Sequence, residues 1–421
     1  MLNKIITHKR KREDNFDEEK EKNEENNGAK TKSNKIKTSE ENTLSNSNCI
    51  DINDINNYTM DFQTNPINIH FFKNIIKGVN SKNNINDDGD SNALIVFKTI
   101  YDTINLVYSN KDKYSIICYN LEDNRKIVEI KNAHKYNITE FKHCLEEKNK
   151  RDLLISISAW AYNIKLWNAN TFECLYHFIE NETIDYSPFE NDSFTYCSCF
   201  LKEKDDIYII IGRENIYYDE NKHPIQVFDI KGNLIKNINN SGEGSDFVSS
   251  YYDKKTSTNF IISAYKPNYY CDYIKSFSFK ENKLYHQYTE SKENDEDEEI
   301  EEEKEEPWKE FIIFEKEEKV ELLDYSFKEK VIRIWDFHLA TILKKINVIK
   351  NITKILRWNK QYFFIKFGDI FIIWDIENEL ICRKIEIFGG KNMNKLILPI
   401  YGECLISQGL NYEDIILWIN N

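Results

Sequence analysis

A chain of 421 residues would ordinarily divide into two or three domains, but this one repeats a small unit along most of its length, which argues for one large repeat domain. Its 25 Tyr, 25 Phe and abundant Ile favour strands, and with only 12 Gly and 6 Pro the turns must draw on Asn, Asp and Lys. The net charge of −14 excludes a domain-wide basic footprint for nucleic acid, no apolar run approaches the roughly 18 residues of a membrane helix, and nine scattered Cys behind a polar start predict a reduced, soluble, intracellular protein.

Residues 1–62 are rich in Lys, Glu, Asn and Ser without a sustained apolar period, and predict a disordered tail. Within it Lys9, Arg10, Lys11 and Arg12 form a basic cluster of the nuclear-import type, although a solvated charge run explains it as well and a cytoplasmic location is the first expectation. A repeat domain is expected over 63–421. Pro66–Lys77 is a strand candidate with no hairpin partner beside it, because an Asn/Asp-rich linker follows.

The clearest repeat unit runs from Leu153 to Phe178: an alternating apolar run, a turn at Ala159–Tyr162, a second run ending in Trp167-Asn168, a turn at Asn170–Glu173 and a third run. The third strands of the repeat units align as SIICYN, NIKLWN, PIQVFD, YIKSFS, VIRIWD, IFIIWD and DIILWI. These segments carry aromatics at Tyr119, Trp167, Phe228, Phe277, Trp335, Trp374 and Trp418. Three residues earlier each has Ile or Phe, and that odd offset requires both strand faces to be buried, as when sheets stack on sheets. Between the fourth and fifth units, residues 290–306 hold about twelve acids and two lysines, a loop insertion that accounts for roughly −10 of the net charge.

The segments RIWDF, IIWDI and KLWNA resemble the WD40 repeat family. That resemblance implies an all-β, seven-bladed propeller closed by an N-terminal strand, which would set Pro66–Lys77 beside Asp414–Ile419. The copies are degenerate. The family's Gly-His pair survives only as Ala133-His134, and its turn aspartate is replaced at best by Asn163 and Asp414, four residues before the aromatic. The family's buried Asp–His–Ser–Trp network therefore reduces at most to His134, Ser158 and Trp167.

Chemistry-bearing motifs are absent. GEGSDF at 242–247 lacks the third glycine and the lysine of phosphate loops, there is no HExxH, and Cys197-Ser198-Cys199 lacks a second cluster, so it reads as a buried strand face rather than a zinc site. No catalytic residue, cofactor or metal ligand is predicted. The expected function is a non-enzymatic scaffold that holds other proteins or peptides, with no membrane and no direct nucleic-acid contact. A subunit or substrate receptor of a nuclear assembly (ribosome biogenesis, RNA processing or chromatin) is the alternative, and a propeller enzyme with a channel site ranks third. In this resemblance the connections between second and third strands share a rim, and here they are aromatic: Trp160, Tyr162, Tyr217, Tyr218, Tyr269, Tyr270 and Tyr412, with Arg213, Lys266 and Lys328 as basic anchors. Covers for hydrophobic strand ends are the plainer account of these aromatics.

Overall fold

The computed structural model describes residues 49–50, 71–76, 93–110, 114–121, 125–158, 164–178, 196–213, 224–241, 244–265, 273–289, 310–316, 318–327, 329–348, 351–357, 361–367, 370–378, 380–386, 395–400, 404–408 and 415–420. The basic cluster Lys9–Arg12 and the acidic run 290–306 lie outside them. The chain is an all-β propeller. Six blades are built from consecutive antiparallel strands: Leu94–Lys98, Ile104–Asn110, Ser115–Asn120 and Arg125–Ile130 (blade 1); Ile138–Glu146, Arg151–Ser158, Ile164–Asn168 and Glu173–Phe178 (blade 2); Tyr196–Glu203, Asp206–Arg213, Gln226–Asp229 and Leu234–Asn237 (blade 3). They continue as Phe247–Asp253, Thr258–Tyr265, Tyr273–Ser278 and Lys283–Tyr288 (blade 4); Ile312–Lys316, Lys319–Ser326, Val331–Asp336 and Thr341–Val348 (blade 5); Lys354–Arg357, Tyr362–Phe367, Ile370–Asp375 and Leu380–Glu386 (blade 6).

A further sheet joins Lys395–Ile400, Cys404–Gln408 and Ile415–Asn420 to Phe71–Ile76. The N-terminal strand runs antiparallel to the last one, from Phe71 opposite Asn420 to Ile76 opposite Ile415. Within a few residues at each end this is the pairing expected of Pro66–Lys77 and Asp414–Ile419. One pairing is new. Cys49–Ile50, in the stretch expected to be disordered, lies parallel to the outer strand of blade 5.

The repeat aromatics are the register marks of the blades. Each stands on a third strand directly opposite an apolar residue of the second: Leu106, Leu154, Ile209, Ile261, Leu322, Phe363 and Leu405 in turn. In blades 1 to 6 the pairing of third and outer strands shifts register beside that aromatic, a bulge that strengthens the local twist. Trp167, Phe277, Trp335 and Trp374 are buried, and so are Ile116, Ile164, Ile225, Ile274 and Ile332 three residues before their aromatics. The two-faced burial expected from the odd offset follows from stacking. Buried clusters join neighbours, for example Leu154, Trp167 and Phe172 of blade 2 with Phe97, Val107 and Ile116 of blade 1.

In blades 3, 5 and 6 the aspartate after the aromatic organises the next turn. Asp336 Oδ1 accepts the N–H groups of His338 and Leu339 at 2.9 and 3.0 Å, Asp375 Oδ1 those of Glu377 and Asn378 at 3.0 Å, and Asp229 Oδ1 those of Lys231 and Asn233 at 2.8 Å. The four-residue turns contain a left-handed residue. It is the fourth in blades 2, 4 and 5, Phe172 (58°), Asn282 (55°) and Ala340 (53°), and one place earlier, Gly232 (φ 83°), in blade 3. A chain this poor in glycine therefore uses ordinary residues where glycine would be free of strain.

Candidate interaction face and central channel

Strand order sorts the connections onto two faces. Those joining first to second and third to outer strands are short: 204–205, 254–257, 230–233, 279–282 and 337–340 hold two to four residues each. Those joining second to third strands, and one blade to the next, leave from the opposite strand ends and reach 12 residues at 214–225, 17 at 179–195 and 23 at 289–311. All the insertions of this length fall on one face. This is the face on which the binding residues were expected, but Trp160, Tyr162, Tyr217, Tyr218, Lys266, Tyr269, Tyr270, Lys328 and Tyr412 lie outside the described residues. Arg213 is described and differs from expectation. It is only 9% exposed at the end of its strand, and its carbonyl accepts the Ser245 N–H at 2.7 Å, so it belongs to the packing between blades 3 and 4 rather than to an exposed anchor.

Under that face lies a buried polar network in blade 2. Ser156 Oγ accepts the indole N–H of Trp167 at 2.8 Å and stands 2.6 Å from His134 Nε2. The serine is Ser156 and not Ser158. Leu154 is paired with Trp167, two strand residues advance about 6.7 Å, which an indole spans, and four do not come within its reach. Burial, followed by the nearby Lys165 and His177, lowers the His134 pKa to about 3, so the ring is neutral. Its Nδ1 has no partner among the described residues.

Blade 5 solves the same problem with charge, which the sequence reading missed. At the position of Ser156 stands Asp324, whose Oδ1 accepts the Trp335 indole N–H at 2.9 Å. Arg333, directly opposite on the next strand, donates to both carboxylate oxygens, with Nε to Oδ1 at 3.1 Å. The shared spacing of 11 residues, Ser156 to Trp167 and Asp324 to Trp335, is the signal from which it could have been found. In blade 6 Ile365 takes this position, and the buried Trp374 Nε1 has no partner among the described residues.

The inner strands of blades 1 to 4 line an open channel cavity of about 420 Å³ that includes Phe97, Lys142, His143, Cys199, Phe200 and Val248 among others. Burial alone would lower the Lys142 pKa, but Glu140, 2.5 Å away, and Glu310 outweigh it, and the net direction is upward. Cys199 is pushed up to about 12 by burial, so its thiol keeps its proton. Cys197 and Cys199 are both buried, the arrangement expected for that strand face. His143 is stacked on Phe97 at 4.0 Å and held by Asp152 at 2.8 Å. Asp152 also accepts the Ile100 N–H and the Asn170 amide at 3.0 and 2.8 Å; burial raises its pKa, but the bonds from His143, Ile100 and Asn170 outweigh it and hold it low. The group fastens blade 1 to blade 2. Among the described residues no set of three or more His, Cys, Asp or Glu side chains could hold a metal ion, and no helix is long and apolar enough to cross a membrane.

No protein-family model matches the chain, and no curated protein matches it. Among solved structures it is similar to BBS1N, crystallised in complex with ARL6DN and soaked with mercury, with a TM-score of 0.50 and 10% identity over 79% of this chain and 93% of that one. At that identity the likeness speaks for the fold alone. What strand pairing and comparison establish together is a β-propeller.

Proposed function

We propose that this chain is a non-enzymatic scaffold, a seven-bladed WD40-like propeller that holds partner proteins or peptides on the face carrying its long connections. The observation that carries the reading is the one-sided distribution of those connections. A closed ring of strands holds many loops at fixed separations, and only one end of this ring has been elaborated. Seven blades are favoured because the Lys395–Ile400 strand lies beside both the Leu94–Lys98 and the Lys354–Arg357 inner strands, between blades 6 and 1. Capture of BBS1N with ARL6DN offers a precedent for a propeller of this fold serving as a binding module. The channel groups favour packing over chemistry: the thiol is protonated, the lysine is a charged ammonium paired with Glu140, and the imidazole is tied to a buried carboxylate. The test is affinity purification of the full chain from its native cell, beside a variant with Trp160, Tyr218 and Tyr270 all changed to Ala. Loss of the co-purifying proteins with unaltered thermal unfolding is expected. An identical set of partners would remove the long-connection face from consideration.

A further inference from the structure

We propose that the outer edge of blade 5 is a strand-accepting site, and that its resident occupant is the chain's own Cys49–Ile50 segment, which withholds the edge from other extended chains. The pairing is parallel, with Cys49 opposite Asn347 and Ile50 opposite Val348, and it makes blade 5 a five-stranded sheet where the others have four. Outer strands expose a row of unpaired N–H and C=O groups, and the longer the strand the longer that row. Thr341–Val348 has eight residues, while the outer strands of the other blades have four to seven.

Position and composition agree. Lysines on an edge strand discourage pairing, and the segment is seated beyond Lys344 and Lys345, at the uncharged end of the strand. In the charge-dense stretch 1–62, Asn42–Ile50 (NTLSNSNCI) is the longest run without an ionisable Asp, Glu, Lys, Arg or His. An uncharged extended segment of Ser, Asn and aliphatic residues is what this edge can accept beside its lysines. Reach is not limiting. The 20 residues from Asp51 to His70 connect the segment to Phe71–Ile76, and at about 3.3 Å each they span up to roughly 66 Å. Such a tether gives the segment a local concentration of about a millimolar at the edge, the level that an added peptide must match to compete with it.

The site is tested in the full-length chain carrying Asn347→Cys. Strand partners in adjacent strands sit within disulfide range, so diamide should link Cys49 to the new thiol, with the cross-linked peptide identified by mass spectrometry. Linkage at least tenfold faster than in a chain carrying Asn237→Cys, at the end of the blade 3 outer strand, is the expected result. A free peptide of residues 42–50 with Cys49→Ser, added at several millimolar, should slow the reaction severalfold. Equal rates in the two variants would overturn the proposed occupant, and a rate indifferent to the peptide would overturn the edge as an exchangeable acceptor.

Discussion

The buried Asp324–Arg333 pair makes a quantitative test of how the blades are held together. Asp324 is 1% exposed and Arg333 4%, and the carboxylate also carries the Trp335 indole bond. Asp324→Ser restores the solution of blade 2, with a hydroxyl to accept the indole, but it strands the guanidinium without its counter-charge. Arg333→Met leaves the buried carboxylate without the guanidinium's charge. Removing one partner of a buried pair costs about 3 kcal/mol or more, whereas replacing both with neutral groups of similar volume is close to neutral. Each single variant should therefore lose about 3 kcal/mol and the double variant about 1 kcal/mol, a coupling of roughly 5 kcal/mol. Equilibrium urea unfolding followed by tryptophan fluorescence and far-ultraviolet circular dichroism measures all four corners of the cycle. Additive losses, or an Asp324→Ser variant within about 0.5 kcal/mol of the parent, would refute the reasoning.

Two further outcomes follow from the same alignment of blades. Trp374→Phe removes an indole N–H that has no partner among the described residues, and should cost about 2 kcal/mol less than Trp167→Phe, which deprives Ser156 of its donor; equal midpoints in urea would contradict this. His134 gives a pH dependence of definite sign. Its pKa is lowered to about 3 in the folded chain while the unfolded value is near 6.5, so between these the unfolded state binds the extra proton and stability falls as pH falls. From pH 6.5 to 5 that amounts to about 2 kcal/mol, and a His134→Gln variant should lose that much less than the parent between pH 7 and 5 in urea titrations.

The architecture was readable from the sequence because it rests on local pattern. Alternation decides which strand residues face inward, and the recurring aromatic three residues after an aliphatic demands burial on both faces; each such aromatic indeed sits opposite an apolar residue of the second strand. The orphan strand near Phe71 was legible for the same reason, since an apolar run without a hairpin partner must pair elsewhere. What sequence spacing did not decide was which polar groups meet. Ser156 rather than Ser158 receives the Trp167 indole because the strands pair at Leu154, and a shift of two residues would have exchanged them. Asp324 and Arg333 meet in the core only because the register sets them face to face. Arg213, an exposed anchor by its place in the chain, is buried because blade 4 packs over it. The seating of Cys49–Ile50 on blade 5 was beyond the sequence altogether, because an edge strand's partner is chosen by which edge stands open in three dimensions. Strand identity is a property of a few neighbouring residues; register, burial of charge and edge occupancy belong to the closed sheet, and only the tertiary structure decides them.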